Sequence, residues 1–377
     1  MNLRTVKAIA RKETYHLLRD FRSLYLAFFI PLLLILLFGY ALSLDVERIP
    51  TAVVDQDRTA ASRDLIRQLQ ASLYFDVRAY PAASAELTEL LDRNRILLGI
   101  VIPPGWTADL RADRPSPLQV VIDGSDPNYA GNTRAFVSAF ISRLNEQQLV
   151  DFLNRQGLEP IHPPVEGRIR VWFNEDLESR NFIVPGIIAI IIMIVGALLT
   201  SLVIAREYEN GTMETIRSLP VRGGEFFLGK AIPYFFIALA DVLIAILMGQ
   251  LLFGVVMKSS FWVMILASTI YIWVALSLGL LISVKTKVQL VANQAAILST
   301  YLPSLLLSDF VFPQENMPVV LKMLSRIVPA TYYIDILNGL YLRSLSLAQL
   351  WPDFLVLSLM ALVLTAANLA ALKKEGL

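Results

Sequence analysis

Apolar and polar positions fall along this chain in two regimes. Six stretches are apolar almost without interruption: 23–44, 182–205, 226–256, 261–284, 290–308 and 350–372. Each is near the ~20 helical residues needed to cross a ~30 Å hydrocarbon core; the third is longer, with room to tilt or run into the interface. In lipid only a helix satisfies its own backbone hydrogen bonds, so all six are predicted to be helices. Pro31, Pro185, Pro233 and Pro303 lie in or near them, where neighbouring helices tolerate a kink. The second regime is 45–180, of ordinary soluble composition. Runs suited to strands occupy 50–54, 73–79, 96–102, 118–122 and 168–173, and helical periodicity covers 59–70, 84–93 and 128–155. That alternation predicts an α/β or α+β domain. The expected fold class is a polytopic α-helical membrane protein, with six transmembrane helices and this α/β (α+β) domain between spans one and two.

Ahead of the first span, residues 1–22 are amphipathic. Leu3, Val6, Ala10, Leu17 and Phe21 project to one face of a helix, and Arg4, Lys7, Arg11 and Arg22 to another. This is the pattern of a helix lying on an anionic lipid leaflet. Lysines and arginines also set the orientation. They precede span one, follow span two (Arg206, Arg217, Arg222, with Lys230 slightly further on), follow span four (Lys285, Lys287) and end the chain (Lys373, Lys374), whereas the opposing short connection holds only Lys258. Both termini are therefore expected in the cytoplasm, although Lys322, Arg326 and Arg343 in the last outer connection dissent mildly. A second reading makes the N-terminus a cleaved signal peptide, since Ala41-Leu42-Ser43 has a small-x-small form. The long approach to the apolar run, and the length of the run itself, weigh against it.

Composition narrows the function. The chain has 377 residues, 55% hydrophobic and 17% charged, with formal net charge +1; soluble domains average roughly 25% charged. The near-zero balance excludes a generally basic nucleic-acid binder. The absence of cysteine excludes disulfides, thiolate metal sites and cysteine nucleophiles. His16 and His162 are too far apart in sequence to suggest a histidine metal cluster, and no metal site is expected. In the 45–180 domain, Asp55, Asp57, Asp123 and Asp126 end strand-like runs. Carboxylates so placed suit a metal or an acid–base pair, or serve as turn and helix-cap acceptors; the local sequences favour the second. His162, between prolines, reads as a loop residue. No Gly-x-Ser-x-Gly or His-Glu-x-x-His motif is present. Gly224 to Ala231 nearly spells a phosphate-binding loop, but alanine replaces the magnesium-binding hydroxyl, and apolar residues fill the loop. No cofactor is expected on this chain; if ATP powers it, ATP and Mg are bound by another.

After span two the chain reads Arg206-Glu207-Tyr208-Glu209-Asn210-Gly211-Thr212-Met213-Glu214 and reaches Leu219-Pro220. It is a charged helical extension broken at Asn210-Gly211, where a positive φ is easy, then a short second helix that Thr212 is expected to cap. Such a segment suits docking to a soluble partner, or is an ordinary loop. The pattern Arg206-Glu207-x-Glu209-x-Gly211-Thr212-x-Glu214, with Pro220 and then Gly229-Lys230, resembles the membrane subunit of ABC type-2 transporters. Other motifs agree in order and spacing. Arg11-Lys12-Glu13 with Leu17-Leu18-Arg19-Asp20 resembles the family's N-terminal connector helix. Trp172-Phe173-Asn174 with Phe182 to Gly186 resembles its entry to span two. Asp309 to Pro313 with Glu315-Asn316-Met317-Pro318, then Pro329 to Tyr333, resembles its outer segment. Asp309 departs from the pattern, which prefers a small residue, usually glycine. The likeness spans essentially the whole chain and includes the large outer loop of the multidrug-export subgroup.

The resemblance implies a permease of the bacterial inner membrane that exports hydrophobic or amphipathic compounds. It implies a connector helix at 1–22, a periplasmic domain at 45–180 between span 23–44 and the spans of 181–377, a coupling segment at 206–225 and an outer re-entrant segment at 309–345. Arg206, Glu207, Glu209, Gly211, Thr212, Met213, Glu214, Leu219 and Pro220 would meet a dimer of cytoplasmic ATPase subunits. Pro313, Glu315, Asn316 and Pro318 carry the outer motif. A second permease, identical or related, is implied, with membrane lipid around it, and in some relatives a periplasmic adaptor. Translocation-path candidates are Asp241, Asn293 and Gln294. An intramembrane carboxylate is costly unless paired or hydrated, so Asp241 is either a cation or proton contact on a path or a hydrogen-bonded or neutral acid. Two other functions compete: a membrane sensor or scaffold with a ligand-binding outer domain, and an ion-coupled secondary carrier.

Overall fold

A computed structural model describes residues 2–41, 48–112, 114–155, 157, 172–174 and 178–377. The chain divides into two compact units, one formed by 44–170 and the other by 1–43 with 171–377.

The smaller unit is an α/β layer structure. Strands β1 (Ile49–Asp55), β2 (Phe75–Ala79), β3 (Leu98–Ile102) and β4 (Gln119–Ile122) form one sheet in the order β2-β1-β3-β4. β1 runs parallel to β2 and β3, and β4 is antiparallel to β3. The parallel pairs are joined through α3 (Ala60–Ala71) and α4 (Ser84–Asp92), crossovers that bury the strands on both faces. Accordingly Val53, Leu98, Ile100 and Ile102 pack under α3 residues Leu65 and Leu69 and under Val137 of α6 (Pro127–Arg155), while Ala52, Val54 and Val101 pack under Leu87 of α4. The short helix α5 (Trp106–Arg111), with Trp106 buried, has no counterpart in the sequence periodicity. Most of the strand expected at 168–173 lies outside the described residues, as does His162, and Trp172 and Phe173 are not in a strand.

The aspartates of this unit are turn and cap acceptors. Asp55 Oδ1 accepts from the backbone N–H groups of Asp57 (3.1 Å) and Arg58 (2.9 Å). Asp57 Oδ2 accepts from the Thr59 hydroxyl (2.9 Å) and from Thr107, whose backbone N–H is 3.2 Å away. Burial pushes the Asp57 carboxyl up, but the hydrogen bonds from Thr107 and Thr59 outweigh it and hold the group below its ordinary range. Asp123 accepts from Ser125, and Asp126 from the backbone of Tyr129.

The larger unit is helical. Among the described residues, five helices are long and apolar enough to cross a membrane: α7 (Arg180–Glu209), α9 (Gly223–Phe253), α10 (Phe261–Thr286), the broken helix Gln289–Leu307, and α15 (Leu347–Lys374). This is a polytopic membrane protein. The first span expected from sequence coincides with α2 (Phe21–Ala41), whose described apolar stretch is the shorter Ala27–Tyr40. Before it lies α1 (Leu3–Arg19), and between α7 and α9 lies α8 (Thr212–Ser218). The broken helix comprises α11 (Gln289–Ala296), a π-helical turn (Ile297–Tyr301) and α12 (Leu302–Leu307). The irregularity expected at Pro303 is thus a widened turn just ahead of it, where the proline supplies no N–H.

α7 is the hub. Its most apolar window is 83% buried, against 22% for α15. It packs against α2, α9, α10 and α11, and against α14 (Pro329–Tyr341). Against α10 the approach is close because both surfaces are small: a β-carbon added to Gly196 would lie 3.0 Å from that of Ala275, and one added to Gly279 would lie 2.9 Å from the Cα of Ala197. Small-residue seams of this kind replace the missing hydrophobic drive between helices in lipid. Hydrogen bonds then fix the register. Ser283 Oγ accepts from the N–H groups of Ile204 (3.0 Å) and Ala205 (2.8 Å), and the Tyr271 hydroxyl donates to Ala189 O (3.0 Å).

In the outer-motif segment, Asp309 has φ +69°, which explains why a glycine suits that position. Aspartate is tolerated there because its own Oδ1 accepts from Gln314 N at 2.6 Å and closes the turn. A 3₁₀ turn (Gln314–Asn316) and α13 (Val319–Ser325) follow, before the buried α14.

Gly279→Leu forces a side chain into the α7 backbone at Ala197 in the α7–α10 seam. It is expected to destabilise by roughly 3 kcal/mol, at the upper end for overpacking, read as a lowered unfolding temperature in detergent; Gly224→Leu, where a β-carbon makes only an ordinary contact, serves as the comparison.

Candidate functional site: a buried ionic knot beneath the helices

The charged extension of α7 ends where the sequence breaks. Asn210 closes α7, and Gly211 takes φ +70° as the residue before α8. Gly211 therefore occupies the cap position expected for Thr212, and Thr212 opens the helix. Its hydroxyl turns back to donate to the Glu207 carboxylate and to Glu207 O (3.3 Å). α8 is pinned by one buried side chain, Met213, while Glu214, Thr215, Arg217 and Ser218 are exposed, as are Leu219 and Pro220 beyond it.

Directly behind α8 lies a compact set of charges. Lys230 Nζ, on α9, donates to Glu207 Oε1 of α7 and to Glu13 Oε2 of α1, both at 2.6 Å. Lys12 Nζ reaches Glu207 Oε1 from the solvent edge at 3.0 Å, and the Tyr234 hydroxyl donates to Glu13 Oε1 at 3.0 Å. The Lys230 and Glu13 side chains are only 2% and 4% exposed. At such burial an ion pair survives only if its partners are close and well bonded, since the loss of hydration costs as much as the attraction returns. Here two lysines answer two carboxylates, so the set is neutral. Its members come from three helices, which must be in register for it to close.

Further contacts tie the same region together. Arg206 reaches Asp20 Oδ2 and His16 Nδ1, each at 3.2 Å, and Gln289 Oε1 at 3.4 Å. Glu209 accepts from the backbone N–H of Gln289 at 2.8 Å. The Tyr208 hydroxyl donates to Glu375 Oε2 at 2.7 Å, and that carboxylate also receives Arg217 (2.8 Å) and Lys287 (2.9 Å). The hydrogen bond from Lys287, then that from Tyr208, holds the Glu375 carboxyl below its usual range. Glu225 Oε1 accepts from Asn2 N at 2.5 Å, joining the start of α1 to the start of α9. The connection from α10 to α11, both chain ends and α8 therefore share one platform.

Of the residues singled out from sequence, Arg206, Glu207, Glu209, Gly211, Thr212 and Met213 build this platform, and Glu214, Leu219 and Pro220 lie on its open face. Asp241 is buried on α9; Asn293 is half-buried and Gln294 exposed on α11, and no hydrogen bond joins Asp241 to either among the described residues. Pro313, Glu315, Asn316 and Pro318 are exposed. Tyr234, Gln289 and Glu375 were not anticipated as members, and Lys230 was read as the end of the motif, not as part of an ionic set. The available signal was Lys230 itself, since a lysine running into an apolar span demands a partner. The α1 face is also narrower than expected: Val6, Glu13 and Leu17 are buried, Leu3 is exposed, and Phe21, also exposed, falls in α2.

A transporter profile described as ABC-2 family transporter protein matches residues 21–370 of this sequence. The chain belongs to that family. It is 34% identical over 367 residues to the probable multidrug ABC transporter permease YbhS of Escherichia coli (strain K12), covering 97% of this chain and 94% of the relative. It is 29% identical to the probable multidrug ABC transporter permease YbhR, over 96% and 95% of the two chains, and 24% identical to the inner membrane transport permease YhhJ, over 82% and 80%, both from the same strain. The chain is thus a membrane permease of an ABC transporter, and its family implies an ATP-binding partner subunit.

In this permease, Lys230→Met leaves Glu13 and Glu207 buried without their shared ammonium. A loss of roughly 3–5 kcal/mol is expected. Adding Glu13→Gln should make the double variant more stable than the sum of the singles by about 1 kcal/mol or more, as measured by a double-mutant cycle of thermal unfolding.

The pH dependence of the C-terminal anchor follows from Glu375. Its carboxyl binds a proton less readily when folded, so the anchor's contribution is complete above the unfolded carboxylate range and is lost as pH falls through the lower folded value. The chain has no cysteine, so a single spin label at Leu377→Cys should be immobilised at neutral pH and become mobile only in acid, whereas with Glu375→Gln it should be mobile throughout.

Proposed function

We propose that this permease exports hydrophobic or amphipathic compounds across the bacterial inner membrane, driven by ATP hydrolysis on a dimer of separate cytoplasmic ATPase subunits. In this reading α2 completes a set of six spans, both termini are cytoplasmic, and 45–180 is periplasmic, where an adaptor would meet it. A second permease, identical or related, completes the pore within the surrounding lipid. The 206–225 segment is the coupling element, 309–345 is the outer re-entrant segment, and Asp241, Asn293 and Gln294 belong to the translocation path.

The observation that supports the reading is the placement of α8. It presents both signs of charge to solvent, Glu214 and Arg217, yet is bonded from behind through Thr212 to the Glu207–Lys230–Glu13 set. A force applied to its exposed face passes through Glu207 into α7, through Lys230 into α9, and through Glu13 into α1. Closure of the ATPase pair would then move packed helices as bodies and exchange inward for outward access. The relatives YbhS and YbhR are named probable multidrug ABC transporter permeases, which supports a drug-like cargo. It suits a chain in which the only charged residue deep within the spans is Asp241.

The test is co-purification of the tagged permease from cells expressing its ATPase. Glu214→Arg reverses an exposed charge and touches none of the ionic set, so it should leave membrane insertion intact and reduce ATPase capture roughly tenfold, the equivalent of about 1.4 kcal/mol. Retention of the partner at the parental level would remove α8 from the contact.

A further inference from the structure

Asp241 is handled differently from the other buried ions of this chain. It is 7% exposed, its Oδ2 is fully buried with no hydrogen-bond partner, and it makes neither a hydrogen bond nor an ion pair among the described residues. It lies on the buried stripe of α9 among Ala238, Val242, Ala245 and Gly249, roughly 16 Å along the helix from Lys230 at 1.5 Å per residue.

Among the described residues no cation is bonded to it. α9 packs against α1, α2, α7, α10 and α15. α1 bonds Lys12 to Glu207, and the one cation of α2, Arg22, stands in its first turn. α7 carries no charge between Arg180 and Arg206, α10 carries only Lys285 near its end, and α15 none between Asp353 and Lys373. α9 itself offers only Lys230, already bonded to two carboxylates. Carboxylates inside a membrane are kept as paired ions or as neutral acids, and they mark substrate pathways; with no cation bonded to Asp241 among the described residues, a cationic cargo would supply the pair.

We propose that Asp241 is the countercharge for a cationic cargo, and that the permease selects amphipathic organic cations over neutral or anionic molecules of the same size. The proposal rests on the reading of Asp241 as part of the translocation path. The flanking small residues, Ala238, Ala245 and Gly249, leave the carboxylate as the one chemically distinctive group on that stripe. A carboxylate held out of water attracts a weakly hydrated, charge-delocalised cation far better than it does in solvent, because the surrounding dielectric is low. An anion of the same shape would face like-charge repulsion there.

Equilibrium binding of tetraphenylphosphonium to the purified full-length permease in lipid nanodiscs tests this, with tetraphenylborate as the anion of matching shape. The parent should bind the cation at least tenfold more tightly than Asp241→Asn or Asp241→Leu, Asp241→Glu should recover most of that, and tetraphenylborate binding should be the same in all four. Unfolding temperatures of the Asn and Leu variants should equal or exceed the parent's, since each removes an unpaired buried charge. Equal cation binding by the parent and both variants overturns the proposal, and so does a parent that binds no cation. Because binding is read without the ATPase, a failure here is separate from failure of the ATPase-coupled reading, which would show instead as undiminished ATPase capture by Glu214→Arg.

Discussion

The arrangement of the helical unit turns on the requirement that Lys230 not be buried alone. α9 turns predominantly apolar just after this residue, so its ammonium is held against a low-dielectric wall at 2% exposure. An ammonium has three donors and no acceptor, and it must find acceptors or give up its charge. Two carboxylates supply them, one from α1 and one from α7. Neither helix could lie elsewhere without leaving an ion exposed to hydrocarbon. The N-terminal helix, which as an isolated amphipathic segment would only float at an interface, is thereby fixed to α9, and the Asn2 to Glu225 contact fixes its far end as well.

That constraint changes what a short exposed helix can do. α8 is too short to hold its own shape in water, and a loop of this length would absorb a push rather than transmit it. Bonding Thr212 to the same Glu207 that binds Lys230 removes this slack. Glu375 closes the other side by holding Tyr208, Arg217 and Lys287 together. The α7–α10 seam carries the constraint into the membrane, because helices whose backbones nearly touch at Gly196 and Gly279 move as one body or not at all.

Much of this was legible in the sequence, for identifiable reasons. Spans are read from uninterrupted apolar length, and the boundaries of α9, α10 and α15 fall within a few residues of expectation because lipid allows no other regular structure. The strands β1 to β4 and their helices follow from alternation, and the aspartates at their ends are turn acceptors, as Asp55-Gln56-Asp57-Arg58-Thr59 leading into a helix suggested. α5 was invisible because six residues are too few to show a period. The ionic set could be read only in part. Arg206, Glu207 and Thr212 stand together in one motif, but Glu13 and Lys230 are 217 positions apart, and only the fold brings them within reach. The left-handed turn at Asp309 was visible as an anomaly of residue type, and the side chain that resolves it was the anomaly itself.

The two places where charge is buried on α9 make the closing comparison. At Lys230 the protein provides every partner, the set is neutral, and the expected consequence is rigidity: nothing there gains from an incoming ion. At Asp241 none is found among the described residues. A chain that assembled two carboxylates and a second lysine around one buried ammonium evidently had the means to pair a carboxylate on the same helix. A neutralising asparagine or an apolar residue there would keep the packing without the cost of an unpaired acid. An unpaired carboxylate is retained at a cost in stability, and such costs are characteristic of positions where the missing partner arrives during function.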